Sequence, residues 1–112
     1  MLYKQKDLIL IKVRYSDDTN YKKRPAIIVS SDIHNKKEDD VIIVPLISNL
    51  HPEHYSFIIT NNEIQQGDLK FDSKVRTHKI TVIDKRRIIK TIGEVNSNVL
   101  ERIRFELLNI LF

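Results

Sequence analysis

The chain of 112 residues contains no cysteine, so disulfide frameworks and thiolate metal sites are both excluded. It has only two glycines, too few for the Gly-rich loop that cradles nucleotide phosphates, and a nucleotide-binding fold is set aside on that ground. The longest uninterrupted apolar stretches run four to seven residues, far short of a membrane span. Lys4 and Lys6 interrupt the N-terminus and no apolar signal core follows, so the expected location is the cytoplasm, with no membrane partner. Basic residues are absent between positions 38 and 69, a segment that carries six acidic ones.

What is present is a charge pattern and a set of short strands. Hydrophobic content of 41% and charged content of 30% suit one globular domain spanning residues 1–112. Residues 1–37 hold nine Lys or Arg against four Asp, and residues 70–90 hold eight against two. Folded onto a common face, these blocks would form a patch for polyanions; dispersed, they would only keep the domain solvated.

Leu8 to Ile11 with Val13, Ala26 to Ser30, Val41 to Ser48, Tyr55 to Thr60 and Ile88 to Val95 read as strands, and Lys74 to Val82 alternates in part. Pro45 cannot donate to a ladder, which places the third strand at an edge or on a bulge. Segments 15–23 and 31–40 read as polar connections, and 61–68 as a polar segment flanked by Asn61-Asn62 and Gly67-Asp68. Asp84 to Arg87 reads as a turn or a single helical turn, and Gly93 as a possible bulge. Leu100, Ile103, Leu107 and Ile110 recur at helical spacing, with Asn98 and Glu101 resembling a capping box. Short strands closed by one C-terminal helix imply a mainly β fold, a small barrel.

Two junctions stand out. In Lys22-Lys23-Arg24-Pro25-Ala26 a basic segment enters an apolar strand, and Val44-Pro45-Leu46-Ile47-Ser48 follows at short spacing. With Asp7-Leu8-Ile9-Leu10 at the start, and Val75-Arg76 followed by Thr81-Val82-Ile83-Asp84-Lys85-Arg86-Arg87-Ile88 later, the chain resembles the MazF/PemK toxins over essentially its whole length. That resemblance implies an SH3-like barrel of the CcdB/MazF type and a homodimer. It also implies a sequence-selective endoribonuclease acting on single-stranded mRNA without metal or cofactor, and a cognate antitoxin. Operator DNA is expected as a partner only of the toxin–antitoxin complex.

Metal-free cleavage uses the substrate 2′-hydroxyl as nucleophile and needs a base, a cation for the phosphorane and an acid for the leaving oxygen. By resemblance Arg24 supplies the cation, with a structural ion pair to Asp18 as the alternative. By resemblance Arg76 and His78 occupy the family's Arg-x-Asp positions, which makes Arg76 the expected acid, sharing the phosphate charge with Arg24, and His78 the expected base. Histidine, with an ordinary pKa near ~6.5, is a competent base, and it shares a face with Arg76 if residues 74–82 are extended. Ser48, Tyr21, Lys22, Lys23, Thr77 and Lys79 are the expected RNA contacts, Tyr21 by stacking; Tyr15 is a further aromatic candidate.

Two positions depart from the family. Ile47 stands where a threonine is usual, and isoleucine offers phosphate no hydrogen bond. His78 stands where an aspartate is usual. The departures keep two alternatives in view: a barrel that binds RNA or antitoxin without cutting, and a gyrase-directed toxin of the CcdB type, against which the Arg-Pro junction argues. His51 and His54 flank Glu53 at a spacing poorly preorganised for metal.

Overall fold

Runs of β-branched residues and leucine, without helical spacing, here become strands buried on both faces. The computed structural model describes residues 2–14 and 20–112. The elements are β1 (Asp7–Arg14), β2 (Tyr21–Ile28), α1 (Asp32–Lys37), β3 (Asp40–Ile47), β4 (Ser56–Ile59), β5 (Ile64–Gly67), β6 (Ser73–Arg76), β7 (Thr81–Asp84), β8 (Ile88–Val95) and α2 (Ser97–Leu111). All described pairings are antiparallel, in the order β4-β6-β3-β2-β1-β8-β5, with β7 also paired to β3. The sheet curls into a half-barrel with α2 packed on one side, the mainly β architecture that the strand pattern implies.

Alternation along the three central strands produces two cores. Leu8, Ile27, Val44 and Leu46 face a cluster that includes Val75 and, from α2, Val99 and Ile103. Ile9, Ile11, Ala26, Ile28, Val41 and Ile43 face the other side, packing with Ile83 and Ile88. A strand buried on both faces shows a continuous apolar run rather than an apolar–polar alternation, which is why Leu8-Ile9-Leu10-Ile11 has no polar interruption.

The structure departs from the sequence reading in several places. Tyr21–Lys23 belong to β2 rather than to a loop, held opposite Arg14–Lys12. The connection after β2 contains α1, capped by Ser31, whose Oγ accepts from His34 N at 3.2 Å. Residues 64–67 form a strand, β5. Residues 74–82 are not continuous: a 3-10 turn at Thr77–Lys79 separates β6 from β7. The cap of α2 is Asn96, which accepts from Val99 N at 3.1 Å, and not Asn98. Lys85–Arg87 is the single helical turn expected, with Asp84 as its cap. The bulge expected at Gly93 lies beside it, between Leu8–Gly93 and Ile9–Thr91 of the β1–β8 ladder.

Candidate functional site

Pro45 decides where the sheet opens. Ahead of it, Ile43 and Val44 pair with Ile28 and Ile27 of β2; beyond it, Leu46 and Ile47 pair with Val75 and Lys74 of β6. Ala26 and Pro45 are the last pair of the β2–β3 ladder. Neither Pro45 nor the neighbouring Pro25 has an N–H, so nothing propagates the ladder past this point. β3 is therefore paired along both halves rather than being an edge strand, and the proline marks its divergence from β2.

A groove of about 440 Å³ occupies the gap. Lys22, Lys23, Arg24 and Pro25 border it from β2, and Leu46, Ile47 and Ser48 from the end of β3. Four consecutive residues of one strand cannot share a face, so the groove follows the free edge of β2. Leu69, Lys70, Phe71 and Ser73 close it on the approach to β6. Phe71 is 63% exposed, and Lys70 Nζ stands 5.8 Å from its ring centroid. The site thus has four cations, two hydroxyls and an exposed aromatic beside an apolar floor, a composition suited to a polyanion carrying flat rings.

A second cluster is organised by Glu53. Arg76 Nε donates to its Oε1 at 2.7 Å and Nη2 to its Oε2 at 3.3 Å. Lys74, whose side chain is only 5% exposed, places Nζ 3.3 Å from Oε1 and donates to His51 O at 2.7 Å. His78 Nε2 stands 3.9 Å from the same carboxylate. The Arg76 hydrogen bond, reinforced by Lys74, holds the Glu53 carboxyl down at about 2. Burial pushes the His78 pKa down, with Arg76, Lys79 and Lys74 adding to the effect and Glu53 opposing it. Among the described residues, His78 Nδ1 and the adjacent Thr77 Oγ1 are buried without a hydrogen-bond partner.

The expected site residues therefore divide. Arg24, Ser48, Lys22 and Lys23 come together at the groove, and Tyr21 lies one residue beyond it, half exposed. Arg76 and His78 are not among the residues lining it. Ser73 and Lys74 are consecutive in β6 and point to opposite faces: the first borders the groove, the second reaches Glu53. Arg76 and His78 do meet, through Glu53, but the 3-10 turn and not an extended strand brings them there. Thr77 is wholly buried and offers RNA no surface, while Lys79 is exposed. Tyr15 and Asp18 lie outside the described residues.

Sequence reasoning missed Glu53 and Lys74 as partners, because a buried lysine reads as one more basic residue until its strand register is known. It also missed the wall from Leu69 to Phe71. The only signal there was Lys70-Phe71 following the Gly67-Asp68 turn.

By sequence, no curated protein matches this chain. Solved structures show its fold. The MazE–MazF structure (Form-III) from Deinococcus radiodurans superposes with a TM-score of 0.81 at 16% identity, covering 99% of this chain and 97% of that one. An endoribonuclease in complex with its cognate antitoxin, from a mycobacterial species, gives 0.74 at 18%, with 98% and 93% covered. The Mycobacterium tuberculosis toxin MazF-mt6 gives 0.73 at 14%, with 92% and 93% covered. A family model described as PemK-like, MazF-like toxin of type II toxin–antitoxin system matches residues 4–111. Matched over nearly its whole length, the chain belongs to that family of toxins.

Proposed function

We propose that this toxin is a metal-independent, sequence-selective endoribonuclease that cuts single-stranded mRNA through attack of the 2′-hydroxyl on the adjacent phosphorus. The observation that carries the reading is the groove in which Arg24 and Ser48 meet, with Lys22 and Lys23 beside them. In this reading the Arg24 guanidinium, permanently charged, stabilises the phosphorane, and its fork suits two equatorial oxygens. The two lysines and the Ser48 hydroxyl hold neighbouring phosphates. Phe71, with Tyr21 further out, stacks unpaired bases.

No carboxylate or imidazole is among the described groove-lining residues. Glu53 and Lys74 border a separate hollow, and His78 stands 3.9 Å from the Glu53 carboxylate, so in this reading the RNA strand passes from Ser48 around β6 to reach the imidazole. His78 is the proposed base, kept neutral at pH 7 by burial. Arg76 accompanies it as the counter-charge of Glu53. The toxin acts in the cytoplasm as a homodimer, is neutralised by a cognate antitoxin, and meets operator DNA only within that complex. No described helix is long and apolar enough to cross a membrane.

The test is to incubate the protein with a long unstructured RNA in EDTA and map the ends. Discrete cuts leaving 5′-hydroxyl ends, reduced at least ~100-fold by Arg24→Ala, are expected from the loss of a charge-stabilising group. Random degradation that Arg24→Ala leaves unaltered would sink the assignment. His78→Ala should flatten the rise of rate with pH, and an unchanged profile would remove the imidazole from the chemistry. A second reading, a barrel that binds RNA or antitoxin without cutting, is favoured by Ile47, which borders the groove without a hydroxyl. Tight antitoxin binding with no cuts on diverse RNAs would establish it.

A further inference from the structure

The ribbon of β1 and β2 continues the groove outward in a basic face whose Lys12, Arg14 and Arg87 the proposed cleavage does not use. Its register sets Leu10 opposite Pro25, Lys12 opposite Lys23 and Arg14 opposite Tyr21. Opposed residues, and residues two apart on one strand, share a face, so these pairs form one row. Leu10 and Pro25 belong to the groove. Lys23 also borders it, and outward from there the same face sets Lys12 against Lys23, then Arg14 against the exposed Tyr21.

Three observations indicate that this row receives an anion. Like charges directly opposite destabilise a ladder, a cost that a bound phosphate between Lys12 and Lys23 would relieve. Lys12 Nζ lies over the Tyr21 ring, 5.1 Å from its centroid, so a cation–π contact holds the ammonium and the ring together on this face. Arg87, from the turn before β8, donates Nε and Nη2 to Lys12 O at 3.2 and 3.0 Å. That carbonyl fixes the guanidinium without neutralising it, whereas neighbouring Arg86 is matched by Asp84 at 2.9 Å. Among the described residues, none of Lys12, Arg14, Lys23 and Arg87 forms an ion pair. Lys12, Arg14 and Arg87 line a surface hollow of about 700 Å³ together with Asp84 and Arg86.

We propose that this row is a track for the single-stranded RNA flanking the cleaved segment. Lys12, Arg14 and Arg87 take backbone phosphates, and Tyr21 stacks a base as the strand leaves the groove. From Pro25 to Tyr21 the track runs about 13 Å at the rise of an extended strand. It deepens the RNA-cutting reading and rests on it: the groove selects and cuts, while the ribbon adds affinity for longer substrates without reading their sequence.

The test compares mixed-sequence RNA pools of about six and about twenty nucleotides, 2′-O-methylated to block cutting, with wild type and with a Lys12→Gln/Arg14→Gln double variant. Both side chains are exposed, so this variant keeps the ribbon intact; a triple variant adds Arg87→Gln. The double variant should bind the long pool roughly tenfold more weakly near ~0.1 M salt, and its salt slope should fall by about 1.4, the value for two phosphate contacts on a single strand. Short-pool binding should hold within about twofold. Equal losses for both lengths, or none for either, overturn the track. So does a variant that keeps long-RNA affinity but loses binding to poly-glutamate, which would assign the row to an acidic protein segment. Cleavage of the unmodified short pool reports the cutting separately. Cutting without a length-dependent loss rejects the track alone; a wild type that neither cuts nor binds RNA rejects both.

Discussion

Ile47 is the residue at which the proposed cleavage is most open to test. It borders the groove beside Ser48, and its alkyl side chain has no hydrogen bond to offer. Threonine keeps the β-branch that suits a strand, so Ile47→Thr tests the hydroxyl with little change of backbone. A hydrogen bond to a charged group contributes about 1.5–3 kcal/mol, and the cleavage rate should rise by roughly tenfold or more. An unchanged rate would show that this position no longer limits the reaction. Glu53 links stability to pH instead. Its folded pKa, about 2, lies below its ordinary 4.5, so the unfolded chain takes up the proton first. Its contribution is complete above pH 4.5 and lost as pH falls toward about 2. His78, also lowered, adds a loss that begins below its ordinary 6.5, where the unfolded chain protonates first. Glu53→Gln should lower the melting temperature at pH 7 and flatten its decline between pH 4.5 and 2. A variant with the wild-type slope in that window would show that the cluster does not couple to folding.

Among the elements, α2 offers the simplest check of local structure. Asn96 satisfies Val99 N at 3.1 Å, and Asn96→Ala should cost about 1 kcal/mol, about 4 °C of melting temperature. If Asn98 were the cap, Asn98→Ala would show that loss instead. The difference between the two asparagines indicates what the sequence holds. Strands with strong apolar runs were legible as strands, and β8 has the limits its residues suggest. The helix was legible from its spacing, but its start was not, because two asparagines compete and packing chooses. β5 was invisible, since Ile64-Gln65-Gln66-Gly67 has no apolar pattern; it exists by pairing with β8, where Gly67 opposes Gly93. A Cβ on Gly67 would strike Ile92 O and one on Gly93 would strike Gln66 O, so the chain's only two glycines serve one close crossing. Pro25 and Pro45 were legible as interruptions, but only the register shows that they open the same gap. The candidate site divides in the same way. Arg24 and Ser48 were readable from flanking motifs, whereas the Glu53 cluster depends on the register that aligns Lys74 with Ile47 and on a 3-10 turn that alternation conceals.

At the scale of the whole molecule, β1, β2 and β3 are shared by two cores that lie on opposite faces of the same strands. Both cores depend on these three strands, so melting one removes the backing of the other. Unfolding should therefore be a single cooperative transition despite two separate apolar clusters. Ile103 belongs to the cluster under α2 and Ile43 to the other, each about 1% exposed. Truncating either to alanine should destabilise by about 2–5 kcal/mol, and in each variant calorimetry should find one peak with agreeing calorimetric and van't Hoff enthalpies. If Ile103→Ala instead released α2 in an early transition while the Ile43 face stayed folded, the cores would be independent. The distinction bears on function because the groove lies at the margin of both. Leu46 comes from the first cluster, Arg24 is paired across the ribbon with Ile11 of the second, and Pro45 lies between the two ladders. A cooperative sheet keeps that margin fixed, so under the proposed cleavage a core substitution far from the groove should lower the temperature at which cutting fails without altering which sequence is cut.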